Sequence, residues 1–496
     1  MKTKMFPEGI KLSGLFSNNM VLQRGIETKV WGYADNSEKV TVEFNGQKVQ
    51  SIAKDGKWMV LLKNLQPGGP YKMVIKGKNI IELSNILVGD VWVCSGQSNM
   101  EMILKSTINA DYETANSTNA QLRLFTSPIL DTTTPREVVN STWTECDPRT
   151  VPCFSAAGYF FGRKLVETQN IPIGLINSSV GGTPVEAWTP KEELELNLEL
   201  ADSNKWIVDT EANIKKATEK EEEAIAKAKA DSTAEPKRTN RVWKTRSGLY
   251  NGMIAPLLNY TIKGVIWYQG ESNAPRATAY RKCFPAMINS WRKNWGIAEL
   301  PFLFVQLSYY GNPNKPDAGQ WPLLRETQVQ TWQTVPKTGM VVSIDVGDVG
   351  IHPPNKKPVG ERLALAAGAI AYGQTTEYSG PIYDSVKFEN RKAYVKFAHT
   401  ADGIRILPEN EKPKWFCIAG EDKVFYNAEA EVIGKDTILV SAEEVTNPVA
   451  VRYAWAIAPV NNVFNSLSLP ASPFRTDDWI DIAVPIPNLE NMPKTE

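Results

Sequence analysis

Histidine is scarce in this sequence: among 496 residues there are only two, His352 and His399. Any chemistry that needs an imidazole is therefore confined to two positions. Lysine plus arginine and aspartate plus glutamate both number 55, so the formal net charge is zero. A protein that binds nucleic acid by neutralising phosphates needs a basic excess. The balanced charge therefore argues against a nucleic-acid partner.

Cysteines and long apolar runs are also few. The five cysteines include no CxxC pair, which argues against a disulfide scaffold and, with two histidines, against a metal site. One bridge, between Cys146 and Cys153, stays open. The apolar runs fall short of the about 18 residues of a membrane helix, so no membrane association is expected. The first residues lack an apolar signal segment. The protein is expected to be periplasmic or secreted if a signal peptide was removed, and cytoplasmic otherwise.

The chain divides by pattern into three regions. Residues 1–86, the N-terminal region, carry short β-type runs between turn signals such as Asn45-Gly46, which predicts a β-sandwich domain. Residues 87–378, the α/β region, alternate apolar strands with helical stretches, which is typical of a parallel sheet. Residues 379–496, the C-terminal region, return to β-type runs. The predicted fold class is therefore α/β, flanked by two β-rich regions.

The α/β region contains five predicted strands and a charged insertion. The strands are predicted at 91–94, 173–177, 264–268, 302–307 and 340–345, and helices at 156–166, 277–294, 324–333 and 359–372. Residues 191–240 hold 13 acidic and 9 basic side chains, which predicts an exposed helical insertion rather than a partner-binding arm. Ile207, Ile214 and Ile225 form a thin apolar stripe, so one face of this helix is expected to pack on the body.

Small and polar residues follow four of the predicted strands. Ligands bind at the carboxyl ends of the strands in an open parallel sheet, so these loops are expected to meet at one edge. The loops read SGQSNM (95–100), SSVGGT (178–183), QGESN (269–273) and DVGDVGIHP (345–353). Their convergence favours a catalytic site more than any single motif does.

The loops supply the parts of an acyl-transfer site. A serine on a glycine turn becomes a nucleophile when an imidazole takes its proton, and both Ser98 and Ser272 fit this description. His352 lies on the predicted edge and is the better candidate base than His399. Backbone NH groups near Ser98 and Gly182, with the Asn273 side chain, would form an oxyanion hole. An acid before the histidine, either Asp348 or Asp345, could orient the imidazole.

Several longer motifs resemble the sialate O-acetylesterase family of SGNH (GDSL-type) hydrolases. They are GQSNMEM (96–102), VGGTPVEAW (180–188), YNGMIAPL (250–257), WYQGESNA (267–274) and IHP (351–353). LFSNNMVLQR (15–24) and LPASPFRTD (469–477) extend the resemblance over nearly the whole chain. The resemblance implies a three-layer α/β/α catalytic domain that removes O-acetyl groups from carbohydrates without a metal or organic cofactor. The GxSxG motif of ordinary lipases is absent.

The resemblance also implies roles for individual residues. It selects Ser98 as nucleophile, His352 as base, and Ser98, Gly182 and Asn273 as the oxyanion hole. The candidate substrate contacts are Gln97, Gln269, Glu271 and Trp188, with Trp321 as a further indole that could stack on a sugar ring.

The sequence departs from the family pattern just before the histidine. Val349 stands where SGNH enzymes commonly carry an acid, and Gly350 where related sequences often do. Asp348 is therefore the first choice for the third member of a triad and Asp345 the second, with a Ser-His dyad as the alternative. Acetylated sialic acid is the favoured substrate. Acetylated xylan or xyloglucan, or a non-catalytic carbohydrate-binding role, are the alternatives.

Overall fold

The N-terminal region consists of short strands joined by tight turns. The computed structural model of the protein describes residues 9–231, 233–234, 236, 245–312 and 320–479. The first six strands are β1 (Val21–Gln23), β2 (Thr28–Tyr33), β3 (Lys39–Phe44), β4 (Gln47–Ile52), β5 (Lys57–Leu62) and β6 (Gly68–Lys76). Asn45 and Gly46, both with positive φ, join β3 to β4 in the predicted hairpin.

A single long strand, β7 (Ile80–Gly96), connects the N-terminal region to the α/β region. Its first half pairs antiparallel with β6 and its second half lies in the central parallel sheet. The boundary predicted at residue 86 falls inside this strand. The two regions therefore share a strand instead of being joined by a linker, and the end of this strand sets where the loop of Ser98 begins.

The central sheet has the strand order β13-β12-β11-β7-β10-β8-β9, and all of these pairs are parallel except β8 with β9. Its other strands are β8 (Asn119–Thr126), β9 (Thr144–Cys146), β10 (Ile173–Ser179), β11 (Gly264–Tyr268), β12 (Phe302–Gln306) and β13 (Thr338–Val342). The last strand ends three residues before the predicted position because Asp345 belongs to a helical turn, Ile344–Val346.

Helices cover both faces of this sheet. The α-helices are α1 (Ser98–Glu101), α2 (Ala110–Ala115), α3 (Ala156–Gln169), α4 (Lys191–Leu196), α5 (Ala201–Ala230), α6 (Ala277–Trp295), α7 (Gln320–Thr334) and α8 (Lys357–Tyr372). Successive residues of a strand point to opposite faces. Phe302 and Phe304 pack on Phe284 of α6, whereas Leu303 lies beside Ala366 of α8. The predicted three-layer α/β/α arrangement follows.

The charged insertion is helical, as predicted. Helix α5 runs for 30 residues and buries Ile207 and Ile225, while Ile214 is half-buried. Trp206, on the same helix, stacks on the guanidinium of Arg276, whose carbon lies 3.3 Å from the ring centroid. The insertion therefore contacts the body near the loop that follows β11. Residues 232, 235 and 237–240 of this predicted segment lie outside the described residues.

The C-terminal region is β-rich and contacts the α/β region. Its strands are β14 (Ile382–Glu389), β15 (Lys392–Ala398), β16 (Ile404–Ile406), β17 (Phe416–Ala419), β18 (Phe425–Asn427), β19 (Glu429–Ile433), β20 (Thr437–Ser441), β21 (Ala450–Tyr453), β22 (Val463–Asn465) and β23 (Phe474–Arg475). The fully buried Arg325 of α7 donates to the carbonyl oxygens of Ala456 and Ile457. Buried hydrogen bonds to a guanidinium thus tie this region to the central sheet.

All five cysteines are free, so the bridge considered between Cys146 and Cys153 is not formed. Cys146 is buried and Cys153 is exposed. No helix within the described ranges combines the length and the apolar character that crossing a membrane requires.

Candidate active site

The loop that carries Ser98 begins where β7 ends. Gly96 has φ +133°, and a Cβ at this position would lie 2.2 Å from the carbonyl oxygen of Tyr268. The next backbone NH, of Gln97, donates to that same oxygen over 2.9 Å. A glycine is therefore required for the chain to turn beside the end of β11, and this turn places Ser98 at the start of α1.

Ser98 and His352 are in direct contact. The hydroxyl oxygen of Ser98 lies 2.8 Å from Nε2 of His352, although 254 positions separate them in the chain. Partial burial, and next the nearby charge of Lys356, lower the pKa of His352 below its ordinary value. The imidazole is thus neutral near pH 7 and can accept the hydroxyl proton.

The rival candidates lie apart from this pair. His399 belongs to the C-terminal region, where its Nδ1 lies 2.9 Å from an oxygen of Glu377. Ser272 is half-buried, and its backbone NH donates to the side-chain oxygen of Gln97. Of the two imidazoles, that of His352 contacts a serine side chain among the described residues, and this serine is Ser98.

Two backbone NH groups beside Ser98 have no acceptor among the described residues. One belongs to Ser98 itself, at the start of a helix, where such groups are left unpaired. The other belongs to Gly182, which has φ +64°. At the adjacent Gly181 a Cβ would lie 3.3 Å from that of Ser98, so the second loop runs directly beside the serine. This pair can donate to an oxyanion.

The side chain of Asn273 is held in one orientation. Its Oδ1 accepts from the backbone NH of Val185 and from Nε2 of Gln269, and its Nδ2 donates to Glu186 over 3.0 Å. Glu186 is fully buried and pairs with the guanidinium of Arg276 at 2.5 Å. Asn273 is fully buried, and these bonds use one of its two amide hydrogens.

Neither candidate acid contacts His352. Asp345 forms a bidentate ion pair with Arg362, with both distances 2.6 Å. Oδ1 of Asp348 accepts from the backbone NH of Val349 over 2.7 Å. The prediction that Asp348 completes a triad is therefore not met by this geometry. In the described part of the chain, Nδ1 of His352 has no hydrogen-bond partner.

The direction of Asp348 is set by the loop that follows β12. Its backbone NH donates to the carbonyl oxygen of Tyr309, and its carbonyl oxygen accepts from the NH of Gly311. These bonds form a short parallel bridge between residues 310 and 348. The backbone is thus anchored toward β12, four residues before the histidine, and the carboxylate folds back on the following NH.

Comparison with known proteins identifies the family of this chain. The family described as "Carbohydrate esterase, sialic acid-specific acetylesterase" matches residues 88–221 and 233–367. The chain belongs to this family. Sialate O-acetylesterase from Rattus norvegicus is 31% identical over 94% of each chain, and that from Homo sapiens is 30% identical over 94% of this chain and 92% of its own. The predicted family and esterase class are confirmed.

A solved structure confirms the fold of this carbohydrate esterase. A carbohydrate acetylesterase from Xanthomonas citri superposes with a TM-score of 0.83 at 35% identity, covering 95% of this chain and 100% of the other. The predicted α/β fold with β-rich flanking regions is therefore that of a carbohydrate acetylesterase.

Three of the four candidate substrate contacts line the loops of the esterase site, but they are largely buried. Gln97 is 3% exposed, and its side-chain oxygen accepts from the backbone NH groups of Gly270 and Ser272. Gln269 is fully buried and donates to Asn273. Glu271, 8% exposed, bonds to Asn99, which follows the serine. These contacts join the first and third loops to each other.

The two candidate tryptophans belong to the core, which corrects the prediction that they stack on sugar rings. Trp188 is fully buried, donates from Nε1 to Oγ1 of Thr183, and packs edge-on against Trp267. Trp321 is 6% exposed and packs against Tyr310. Their indole faces are covered by other side chains and cannot meet a substrate in this structure.

The sequence analysis missed Lys356 and Asn99. Lys356 is buried, and Nζ donates to Oδ1 of Asn99 over 2.6 Å. Burial lowers the pKa of this lysine to about 7, against the raising effect of the Glu271 charge. The sequence does show a lysine four residues after His352. Its spacing does not reveal that the side chain is buried.

Proposed function

We propose that this esterase removes O-acetyl groups from carbohydrates through Ser98 as nucleophile and His352 as general base, with 9-O-acetylated sialic acid as the favoured substrate. One observation carries the mechanism: the 2.8 Å contact between the hydroxyl of Ser98 and Nε2 of His352. A neutral imidazole at that distance can take the proton of an attacking serine.

The reaction proceeds in two acyl transfers. His352 takes the proton of Ser98 while the serine oxygen bonds to the acetyl carbon. The backbone NH groups of Ser98 and Gly182, with Nδ2 of Asn273, hold the charge on the carbonyl oxygen. The bond from the acetyl carbon to the sugar oxygen then breaks, and that oxygen receives the proton from His352. Water repeats the sequence on the acetyl-enzyme, releasing acetate and restoring the serine.

His352 performs these steps without a carboxylate on Nδ1, as a Ser-His dyad. The lowered pKa of His352 supports this role, because the imidazole is neutral and ready to accept at neutral pH. Loss of the acid from a serine triad lowers kcat by about 10⁴-fold but leaves residual catalysis. A dyad therefore needs another contact that holds the imidazole in place.

The preference for sialic acid rests on the relatives. The curated proteins that match over 94% of the chain carry the name sialate O-acetylesterase. The similar protein from Xanthomonas citri is a carbohydrate acetylesterase, a name that specifies no glycan. Acetylated xylan and xyloglucan are therefore the competing substrates in the test.

The test is acetate release from p-nitrophenyl acetate and from acetylated sialic acid, xylan and xyloglucan. We expect Ser98→Ala to lower kcat/KM by about 10⁴-fold on every substrate. The matched control, Ser272→Ala in the neighbouring loop, should stay within about twofold. Full activity in Ser98→Ala would overturn the mechanism. A higher kcat/KM on xylan or xyloglucan than on sialic acid would overturn only the substrate preference.

A further inference from the structure

The contact between His352 and Ser98 needs a support that is not a carboxylate. In serine triads an acid orients the imidazole through Nδ1, but Nδ1 of His352 has no partner in the described residues. His352 is also only partly buried. Because small misplacements of a base are costly to catalysis, some other contact must keep this imidazole near the serine.

Two side chains hold the backbone on both sides of His352. Nδ2 of Asn99 donates to the carbonyl oxygen of Ile351 over 3.0 Å. Nζ of Lys356 donates to the carbonyl oxygen of Pro353 over 2.8 Å. The residues immediately before and after the histidine are thus both anchored, which limits how far its Cα can move.

The two anchors are connected to each other and to a third residue. Nζ of Lys356 donates to Oδ1 of Asn99 over 2.6 Å, and Nδ2 of Asn99 donates to Oε1 of Glu271, also over 2.6 Å. Asn99 directly follows Ser98 in α1. The network therefore joins the turn that carries the nucleophile, the loop after β11 and the loop that carries the base.

Burial makes this network rigid. Asn99 and Lys356 are each 1% exposed and Glu271 is 8% exposed, so water does not compete for their hydrogen bonds. Burial disfavours the charged forms of both groups: it lowers the pKa of Lys356 and raises that of Glu271. The hydrogen bonds to Asn99 offset part of this cost. The ammonium also lies 5.3 Å from the ring centroid of Tyr268, at the end of β11.

We propose that Asn99, Glu271 and Lys356 are positioning residues that hold the loop of His352 against Ser98, in place of the absent carboxylate. This inference rests on the proposed function of Ser98 and His352. It assigns the three side chains no contact with substrate. Their effect is expected in kcat, because the chemistry depends on the placement of the base, and only weakly in KM.

The test compares Lys356→Met with Lys357→Met. The control removes the neighbouring lysine, whose half-exposed side chain pairs with Glu113 at 3.2 Å. We expect Lys356→Met to lower kcat on p-nitrophenyl acetate by about 100-fold with KM within about twofold. Lys357→Met should change neither parameter by more than about twofold. An unchanged kcat in folded Lys356→Met overturns the proposal.

The pH profile separates this role from a purely structural one. Burial and, next, the Lys356 charge lower the pKa of His352. Lys356→Met removes the second effect and should therefore move the acid limb of kcat/KM to higher pH. The titratable groups that face Lys356 are Glu271 and Tyr268, and the pKa of Tyr268 lies far above this range because the phenol is buried. An acid limb at the wild-type position contradicts the proposal.

A second variant covers the case in which Lys356→Met does not fold. Glu271→Gln preserves the shape of the side chain, and we expect kcat to fall about tenfold with a native thermal transition; an unchanged kcat overturns the proposal. Ser98→Ala, assayed in parallel, keeps the two hypotheses distinct. Inactive Ser98→Ala with fully active Lys356→Met and Glu271→Gln refutes only the positioning role, whereas active Ser98→Ala refutes the proposed function.

Discussion

His352, in the α/β region, contacts the hydroxyl of Ser98 and, among the described residues, no carboxylate. His399, in the C-terminal region, lies 2.9 Å from a carboxylate oxygen of Glu377. Among the residues that the structure describes, it forms no hydrogen bond with a serine side chain. His399 also packs against the ring of Trp332 at 5.3 Å. An acid beside a histidine is therefore no sign of catalysis by itself. The serine and the unpaired NH groups around it distinguish the two regions.

The surroundings of Glu377 explain its different role. The carboxylate oxygen that meets His399 also accepts from the backbone NH groups of Tyr378 and Ser379. This oxygen thus gives both NH groups an acceptor at the start of the connection into the C-terminal region. A buried NH without an acceptor would cost free energy. The pair between His399 and Glu377 is a structural contact.

The largest predicted difference follows from replacing each histidine by glutamine. We expect His352→Gln to lower kcat/KM for p-nitrophenyl acetate by about 10⁴-fold, because an amide cannot take the proton of Ser98 at neutral pH. His399→Gln should remain within about twofold. Steady-state kinetics on both variants, with thermal unfolding as the check of folding, measures this. Comparable losses of kcat/KM in the two folded variants would contradict the assignment of the base to His352 alone.

A smaller difference is predicted for two buried or half-buried glutamates. Glu186→Gln should lower kcat about tenfold, because Glu186 accepts from Asn273 and, with Arg276, fixes the orientation of this proposed oxyanion donor. Removing a donor outright costs about 100-fold or more, and misorienting one costs less. Glu377→Gln is the matched control, with kcat expected within about twofold.

Single-turnover acetate release measures the rate of the chemical step in Glu186→Gln, and steady-state rates give its KM. A tenfold rise in KM at constant kcat would show that Glu186 acts in substrate binding, not in orienting Asn273. Equal effects in Glu186→Gln and Glu377→Gln would mean that neither reports on the oxyanion hole.

Parts of the site that depend on strand ends could be predicted from the sequence. Strand β11 occupies exactly the predicted residues, Gly264–Tyr268, and β10 starts at the predicted Ile173. Because parallel strands end at one edge, the loop carrying Ser98 and the loop carrying His352 could be assigned to the same place. The topology assigns only the edge: β11 and β12 separate β7 from β13, so the contact of the two side chains depends on the path of the loop after β13.

Other parts depend on contacts that no spacing encodes. The burial of Trp188 arises from its hydrogen bond to Thr183 and its packing on Trp267. The orientation of Asp348 arises from bonds to the loop after β12. Lys356 reads in the sequence as an ordinary surface lysine, and its burial depends on Asn99, 257 positions earlier. Such long-range side-chain contacts are decided by tertiary packing.

The smallest effect on activity is predicted for the two aspartates that precede His352. Asp348→Asn should change kcat by less than about threefold, because the carboxylate bonds to a backbone NH and not to the imidazole. Asp345→Asn removes one partner of a largely buried ion pair, in which Arg362 and Asp345 are 11% and 16% exposed. We expect it to lower the free energy of unfolding by about 2 kcal/mol.

Denaturant unfolding and kcat, measured on the same samples, separate these two outcomes. Asp345→Asn should unfold at lower denaturant concentration while its folded fraction retains kcat, and Asp348→Asn should match the wild type in both. A 100-fold loss of kcat in stable Asp348→Asn would mean that its carboxylate reaches Nδ1 of His352 during turnover. Both histidines would then have an acid partner. That of His352 would be present only during turnover, whereas that of His399 is present in the resting structure.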